Sequence, residues 1–118
     1  MRHASLILVA LMVAGCASMM QPSSQSIALT VVNIETPQGV KIWEPASVIA
    51  RKGDTVALKL INRHTDEHGY EIAAYGIKEV VQANQSKDVS FKADKAGVYP
   101  IKCHLHPAHV VGQLLVLE

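Results

Sequence analysis

The stretch that decides the fold is "AGVYPIKCHLHPAHVVGQLLV", Ala96 to Val116. Its first part alternates Tyr99, Ile101 and Cys103, and its end, "GQLLV", is an apolar run. Successive side chains of a strand point to opposite faces. If Tyr99 and Ile101 face a core, Cys103 does too, and Lys102 and His104 face out. The thiol then arrives at the inner end of a rigid strand. Between the two apolar runs lie His104, His106 and His109, three imidazoles close behind one thiol. His104 reads as an exposed neighbour.

The rest of the chain places its histidines sparingly. Beyond residue 15 only His64 and His68 remain, both in the loop region after "VALKLIN". Five imidazoles confined to two loops point to a shared centre rather than to scattered surface histidines. One thiolate with several imidazoles is the donor set of copper electron-transfer sites, because soft sulfur suits Cu(I) and imidazole holds either oxidation state. A structural zinc with one cysteine and three histidines is chemically legitimate as well, although such sites commonly show two ligand pairs at knuckle spacing. His64 reads as a solvated loop residue. Trp43 and Tyr70, Tyr75 and Tyr99 read as core or interface.

From Ser26 onward the sequence runs in short β-rich segments broken by turn signals, with no stretch of helical period. "IALTVVNIE" is one strand and "GVKIWEP" leads into another. "SVIARKGDTVALKLIN" reads as a hairpin-like pair turning at Lys52-Gly53-Asp54, with Val56, Leu58 and Leu60 on one face. "GYEIAAYG", "EVVQA", "KDVSFKA" and "GQLLVLE" complete the set. The expectation is an all-β two-sheet sandwich of seven to eight strands.

The remainder of the chain sets the context. Of 118 residues, 49% are hydrophobic and 18% charged, which excludes a disordered or highly charged solvating chain and leaves room for one core. "MRHASLILVALMVAGC" has a basic start, an apolar run and small residues before Cys16, the pattern of a secretory signal too short to span a membrane as a finished helix. Its ending, Val13-Ala14-Gly15-Cys16, resembles the bacterial lipobox, in which the cysteine is lipidated. That resemblance implies a signal peptide over 1–15, lipidation at Cys16, a flexible Ser/Pro-rich tether over 16–26 and a domain over 27–118. It also implies attachment to the cell envelope, facing the periplasm, through the lipid anchor. Without Arg2 the mature chain carries ten basic and ten acidic residues. No basic excess is left to neutralise phosphates, so nucleic acid is not an expected partner. With Cys16 lipidated, Cys103 stands alone in an oxidising compartment, and a metal is one occupant that protects it.

From about Val40 to Glu118 the chain resembles the cupredoxins, the copper-binding Greek-key β-sandwich family. The resemblance rests on "EPASVIARKGDTVALKLIN", on "EHGYEI" as the segment of the first histidine ligand, and on the final strand, loop and strand quoted above. The loop's C-x2-H-P-x-H is similar to the amicyanin pattern C-x2-H-P-x-M, with Cys103, His106 and Pro107 in matching places. "HGY" and "ADKAGVY" are also similar to the copper domain of nitrous oxide reductase, whose dinuclear site needs a second loop cysteine that this chain lacks. The resemblance implies one copper ion held by His68, Cys103, His106 and a fourth donor. That fourth place belongs to methionine in blue copper proteins, and here Met1, Met12, Met19 and Met20 all precede the domain. Counting forward from Cys103 puts His109 there; counting back from Gly112 puts Val110 there. A one-cysteine, three-histidine set is similar to nitrosocyanin, which also uses a glutamate, so Glu67 and Glu71 stay open. The function implied is one-electron transfer with a redox partner protein. Two alternatives remain: capture and delivery of copper between a donor and an acceptor, and an enzyme acting on a small nitrogen oxide. No paired carboxylates or Ser/His/Asp set supports hydrolysis, so the chain reads as a carrier or binding protein rather than an enzyme.

Overall fold

The computed structural model describes Gly15 and residues 23–118. Cys16 and the remainder of the signal-like segment lie outside the described residues. The domain is nearly all β: β1 (Ser26–Glu35), β2 (Lys41–Glu44), β3 (Ser47–Arg51), β4 (Thr55–Asn62), β5 (His68–Ile72), β6 (Ile77–Val81), β7 (Ser86–Lys92), β8 (Gly97–Ile101) and β9 (Gly112–Leu117), with one 3-10 turn over Ala73–Tyr75. The count exceeds the expected seven to eight because the short runs around Tyr70 and Val80 pair with each other as β5 and β6. Among the described residues no helix is long and apolar enough to cross a membrane.

One layer is a four-stranded sheet in the order β2-β1-β4-β7. The other is a three-stranded sheet, β3-β9-β8, prolonged toward the β5-β6 ribbon by the bridge Glu71–Lys102. That join consists of two backbone bonds, Glu71 N–H to Lys102 O at 2.8 Å and Lys102 N–H to Glu71 O at 3.0 Å. Period-2 alternation supplies the core from both layers. Val56, Leu58 and Leu60 of β4 and Val31 of β1 are buried against Val48 and Ala50 of β3 and Leu114 and Val116 of β9. Ile101 continues that inner face, and Cys103 is 5% exposed just beyond it. Trp43 and Tyr70 are buried in the same core, and Tyr75, Tyr99 and Phe91 pack at its edge.

The segment Ser47–Asn62 is not the hairpin that its turn chemistry suggests. β3 pairs in parallel with β9, whereas β4 pairs in parallel with β1 and antiparallel with β7. The turn at Arg51–Asp54 closes locally, with Asp54 N–H donating to Arg51 O at 3.0 Å. The two strands then diverge into opposite layers, because Val48 and Ala50 on one and Val56, Leu58 and Leu60 on the other must all face the space between sheets. Had the strands paired, one sheet would carry both apolar faces and nothing would cover it.

Asp54 holds this corner. Its carboxylate accepts the backbone N–H of Gln25 and of Arg51, both at 2.8 Å. Gln25 and Ser26, read as the end of the tether, are therefore tied to the domain. The Gln25 bond first and the Arg51 bond second hold the Asp54 carboxyl below the ordinary value of 3.8. The unfolded chain thus takes up this proton at a higher pH than the folded one. Stabilisation from this group is present above pH 3.8 and is lost as pH falls through the folded value. Asp54→Asn turns an NH2 group toward an N–H donor. Thermal unfolding is expected to show a lower Tm for the variant at pH 7 and a narrowing gap to wild type as pH falls below 3.8; a constant gap would contradict the assignment.

Candidate metal centre

Four donor side chains converge at one end of the sandwich. The ligating atoms of His68, Cys103, His106 and His109 all lie within 4.8 Å of one another. His68 begins β5 and is fully buried, and Cys103 follows β8. The two are brought together by the Glu71–Lys102 bridge, whose antiparallel register sets the segment 68–70 beside 103–105. His106 and His109 sit on the turn that leads to β9. Successive i to i+3 bonds shape it, His106 N–H to Cys103 O at 3.1 Å and His109 N–H to His106 O at 3.0 Å. Val110 N–H then donates to Lys41 O at 3.1 Å and ties the turn to the other layer. Where the turn rejoins the sheet, a Cβ on Gly112 would collide with Ala46 O, so only glycine permits that approach.

The sulfur is the focus. Its distance is 3.4 Å to His106 Nδ1 and 3.9 Å to His68 Nδ1, and it accepts the Gly69 backbone N–H at 3.2 Å. The three rings are packed together, His106 stacked on His109 at 4.6 Å and both at 5.0 Å from His68. Trp43 lies edge-on to His68 at 6.5 Å and donates its indole N–H to Gly69 O at 2.8 Å. Burial is the main cause that lowers the His68 imidazole to a pKa of about 4, with the positive ends of His109, His64, His106 and Lys41 adding to it. His109 is lowered by the same causes, burial first and then His106. His68 is therefore neutral at pH 7, with a lone pair free to bind a metal.

These residues fit a copper ion. Donors sharing one tetrahedral ion with bonds of about 2.0–2.3 Å sit roughly 3.5 Å apart, close to the sulfur–nitrogen separations seen here. His104 Nδ1 and His109 Nδ1 are both buried without a hydrogen-bond partner among the described residues, and of the two only His109 belongs to the converging donors. One soft sulfur with three imidazole nitrogens is a set that accommodates both copper oxidation states.

The other candidates for the fourth place lie elsewhere. Val110 is 43% exposed. Glu67 is exposed and accepts from Gln82 Nε2 at 3.2 Å. Glu71 faces Lys78 Nζ at 3.9 Å. His64 does not join the cluster as a donor, yet it is not merely solvated: its Nδ1 lies 3.1 Å from His68 Nε2. His104 departs from the expectation that it faces out. It is half-buried, with its ring laid over Gly69, where a Cβ would stand 2.5 Å from His104 Nδ1. Alternation does turn His104 to the outer face of the β8 line, but β5 runs alongside there and covers it. Glycine in "HGY" was the available signal, since a missing side chain leaves room for a ring across the register.

The sequence profile of the cupredoxin-like domain matches residues 5–116. No curated protein sequence matches the chain. Among solved structures, the metal-binding domain of the Cu(I)-exporting P-type ATPase CopA of Streptococcus pneumoniae, solved with Cu(I), is similar at a TM-score of 0.66 and 15% identity, covering 83% of this chain and 92% of that one. The copper nitrite reductase of Nitrosomonas europaea is similar at 0.65 and 22%, covering 78% and 41%. A multi-copper oxidase of Pseudomonas thermotolerans is similar at 0.64 and 17%, covering 81% and 30%. The chain thus spans most of the exporter's domain but under half of the reductase and of the oxidase, and at these identities the likeness concerns the fold. With its two-layer sandwich and a profile match over residues 5–116, the chain belongs to the cupredoxin-like domain family.

Proposed function

We propose that the protein is a mononuclear copper protein of the cell envelope, with His68, Cys103, His106 and His109 as ligands of one ion, and that its work is one-electron transfer. Bound copper would supply a one-electron couple. The observation that carries the reading is the mounting of the four donors. His68 begins β5 and Cys103 follows β8, joined by the Glu71–Lys102 bridge, and His106 and His109 stand on a turn closed by its own backbone bonds and tied to Lys41. Donors held this way move little when the charge they surround changes, which keeps reorganisation small. His106 is half-buried, and around it Leu105, Val110 and Val111 are 37%, 43% and 51% exposed. That apolar rim supports a redox partner docking against the site, since desolvating it costs little.

A second reading, capture and delivery of copper, is favoured by two of the four donors lying on one surface turn, and by the likeness to a domain of a Cu(I) exporter. A catalytic copper with an open position is supported less, because four donors complete a tetrahedral set. Attachment at Cys16 would hold the domain near the membrane while leaving its docking face free.

One experiment separates these readings. Protein expressed from the whole sequence under copper-replete conditions is expected to mature to an N-terminus at Cys16, to carry one copper per chain, and to exchange electrons between its oxidised and reduced forms faster than it surrenders copper to a chelator. One zinc and no copper would establish the structural-metal alternative. Copper loss faster than electron exchange would favour delivery.

A further inference from the structure

A buried imidazole that faces a metal pocket with one nitrogen must satisfy the other. His68 directs Nδ1 toward Cys103 and is fully buried, so its Nε2 has no access to solvent. The partner that Nε2 meets is His64 Nδ1 at 3.1 Å, with the two rings edge-to-face at 5.0 Å and 71°. Two imidazole nitrogens at that distance are hydrogen-bonded only when one carries a proton and the other offers a lone pair. If the proton sits on His68 Nε2, the Nδ1 lone pair faces the sulfur and is free for a metal. If it sits instead on His64 Nδ1, the neutral His68 must carry its own proton on Nδ1, pointing into the pocket and blocking it.

His64 is held so that it can take this role. Its backbone N–H donates to Asn62 Oδ1 at 2.9 Å, and its carbonyl accepts Asn84 N–H at 3.2 Å. Asn62 is itself buried at the end of β4, and its amide donates to Asp66 O at 2.7 Å and Val81 O at 3.0 Å. One asparagine thus binds both ends of the loop before His68 and fastens it to β6. The loop after β4 is a mount for an imidazole rather than a free connection.

We propose that His64 is a positioning residue of the metal centre: its Nδ1 accepts the Nε2–H of His68 and so fixes the tautomer that turns the His68 Nδ1 lone pair toward Cys103, while Asn62 holds His64 in place. This rests on the reading of His68 as a ligand. Outer hydrogen bonds of this kind fix both the tautomer and the orientation of a ligating histidine, and their loss typically weakens metal binding 10–100-fold. The acceptor need not be an imidazole. An asparagine at this position would place its Oδ1 about where His64 Nδ1 stands, so His64→Asn retains the acceptor and His64→Ala removes it.

The test uses the full chain and copper alone as the probe. Nitrogen NMR of the metal-free wild-type protein should show His68 protonated at Nε2 and bare at Nδ1. In His64→Ala the two tautomers should mix, and copper affinity measured by chelator competition should fall by roughly 10–100-fold. In His64→Asn the single tautomer should return, with affinity within a few-fold of wild type, while the melting temperatures of the metal-free variants stay together. A single Nε2–H tautomer and unchanged affinity in His64→Ala would overturn the proposal. So would a wild-type His68 protonated at Nδ1, or an Asn variant no better than Ala. Should wild type take up no copper at all, the copper reading fails, while the tautomer in metal-free protein still decides the role of His64.

Discussion

Cys103→Ser is expected to abolish the intense sulfur-to-copper absorption of the copper-loaded protein outright. The thiol is the only soft donor among the four converging side chains, and the colour of such a centre arises from electron density passing from that sulfur to the metal. A serine hydroxyl is a hard, protonated oxygen at neutral pH and replaces neither the charge nor the softness. Copper affinity should therefore fall by more than the roughly 10–100-fold that the loss of an outer hydrogen bond costs. The fold should survive, because the substitution is close to isosteric at a site 5% exposed and the new oxygen still offers an acceptor to the Gly69 N–H. Circular dichroism and melting of the metal-free protein would separate lost binding from lost structure. A folded Cys103→Ser protein that kept the band would remove Cys103 from the centre.

His109→Met is expected to change what kind of copper site this is. In wild type His109 offers a ring nitrogen within 4.8 Å of the other three donors, while Val110 is 43% exposed. An imidazole in the fourth place is a stronger and harder donor than a thioether. Bound there, it would favour Cu(II) and weaken the sulfur's hold on the metal, so the wild-type protein should look red, purple or green and have a low reduction potential for its family. Methionine at 109 completes the pattern C-x2-H-P-x-M. The variant should turn blue and its potential should rise, both read from one titration of the absorption spectrum against potential. A wild-type protein that is already blue, with neither colour nor potential altered by the substitution, would overturn the assignment of His109 and leave His68, Cys103 and His106 as a three-ligand set.

Much of this arrangement was written in local sequence. Alternation in β4, β8 and β9 fixed which residues face the core, and it carried Cys103 inward with Ile101. The confinement of histidines to two short stretches, 64–68 and 104–109, marks the cluster in the sequence, although His68 opens β5 rather than lying in a loop. What was not legible depends on pairing between distant segments. Lys52-Gly53-Asp54 has the chemistry of a tight turn whether the flanking strands pair or part, and only the burial of both apolar faces decides that they part. The contacts of His104 with Gly69 and of His64 with His68 share this character. The first follows from the register across the Glu71–Lys102 bridge and the second from the clamp of Asn62 on its loop, and neither is a property of the residues alone.

The division of the four donors between framework and turn bears on how such a protein changes over generations. His68 and Cys103 are fixed by strand register, so a one-residue slip there would turn the sulfur out of the interior and dismantle the core with it. The segment 104–111 lies outside the named strands, anchored by the His104 ring over Gly69 and by the bond from Val110 N–H to Lys41 O. Replacements at 106–109 would vary the number and softness of donors while His68, Cys103 and the strands of the sandwich stay in place. A short segment can therefore change the character of the site at little risk to the sandwich, and with no methionine after position 20 the fourth donor that this chain offers there is an imidazole.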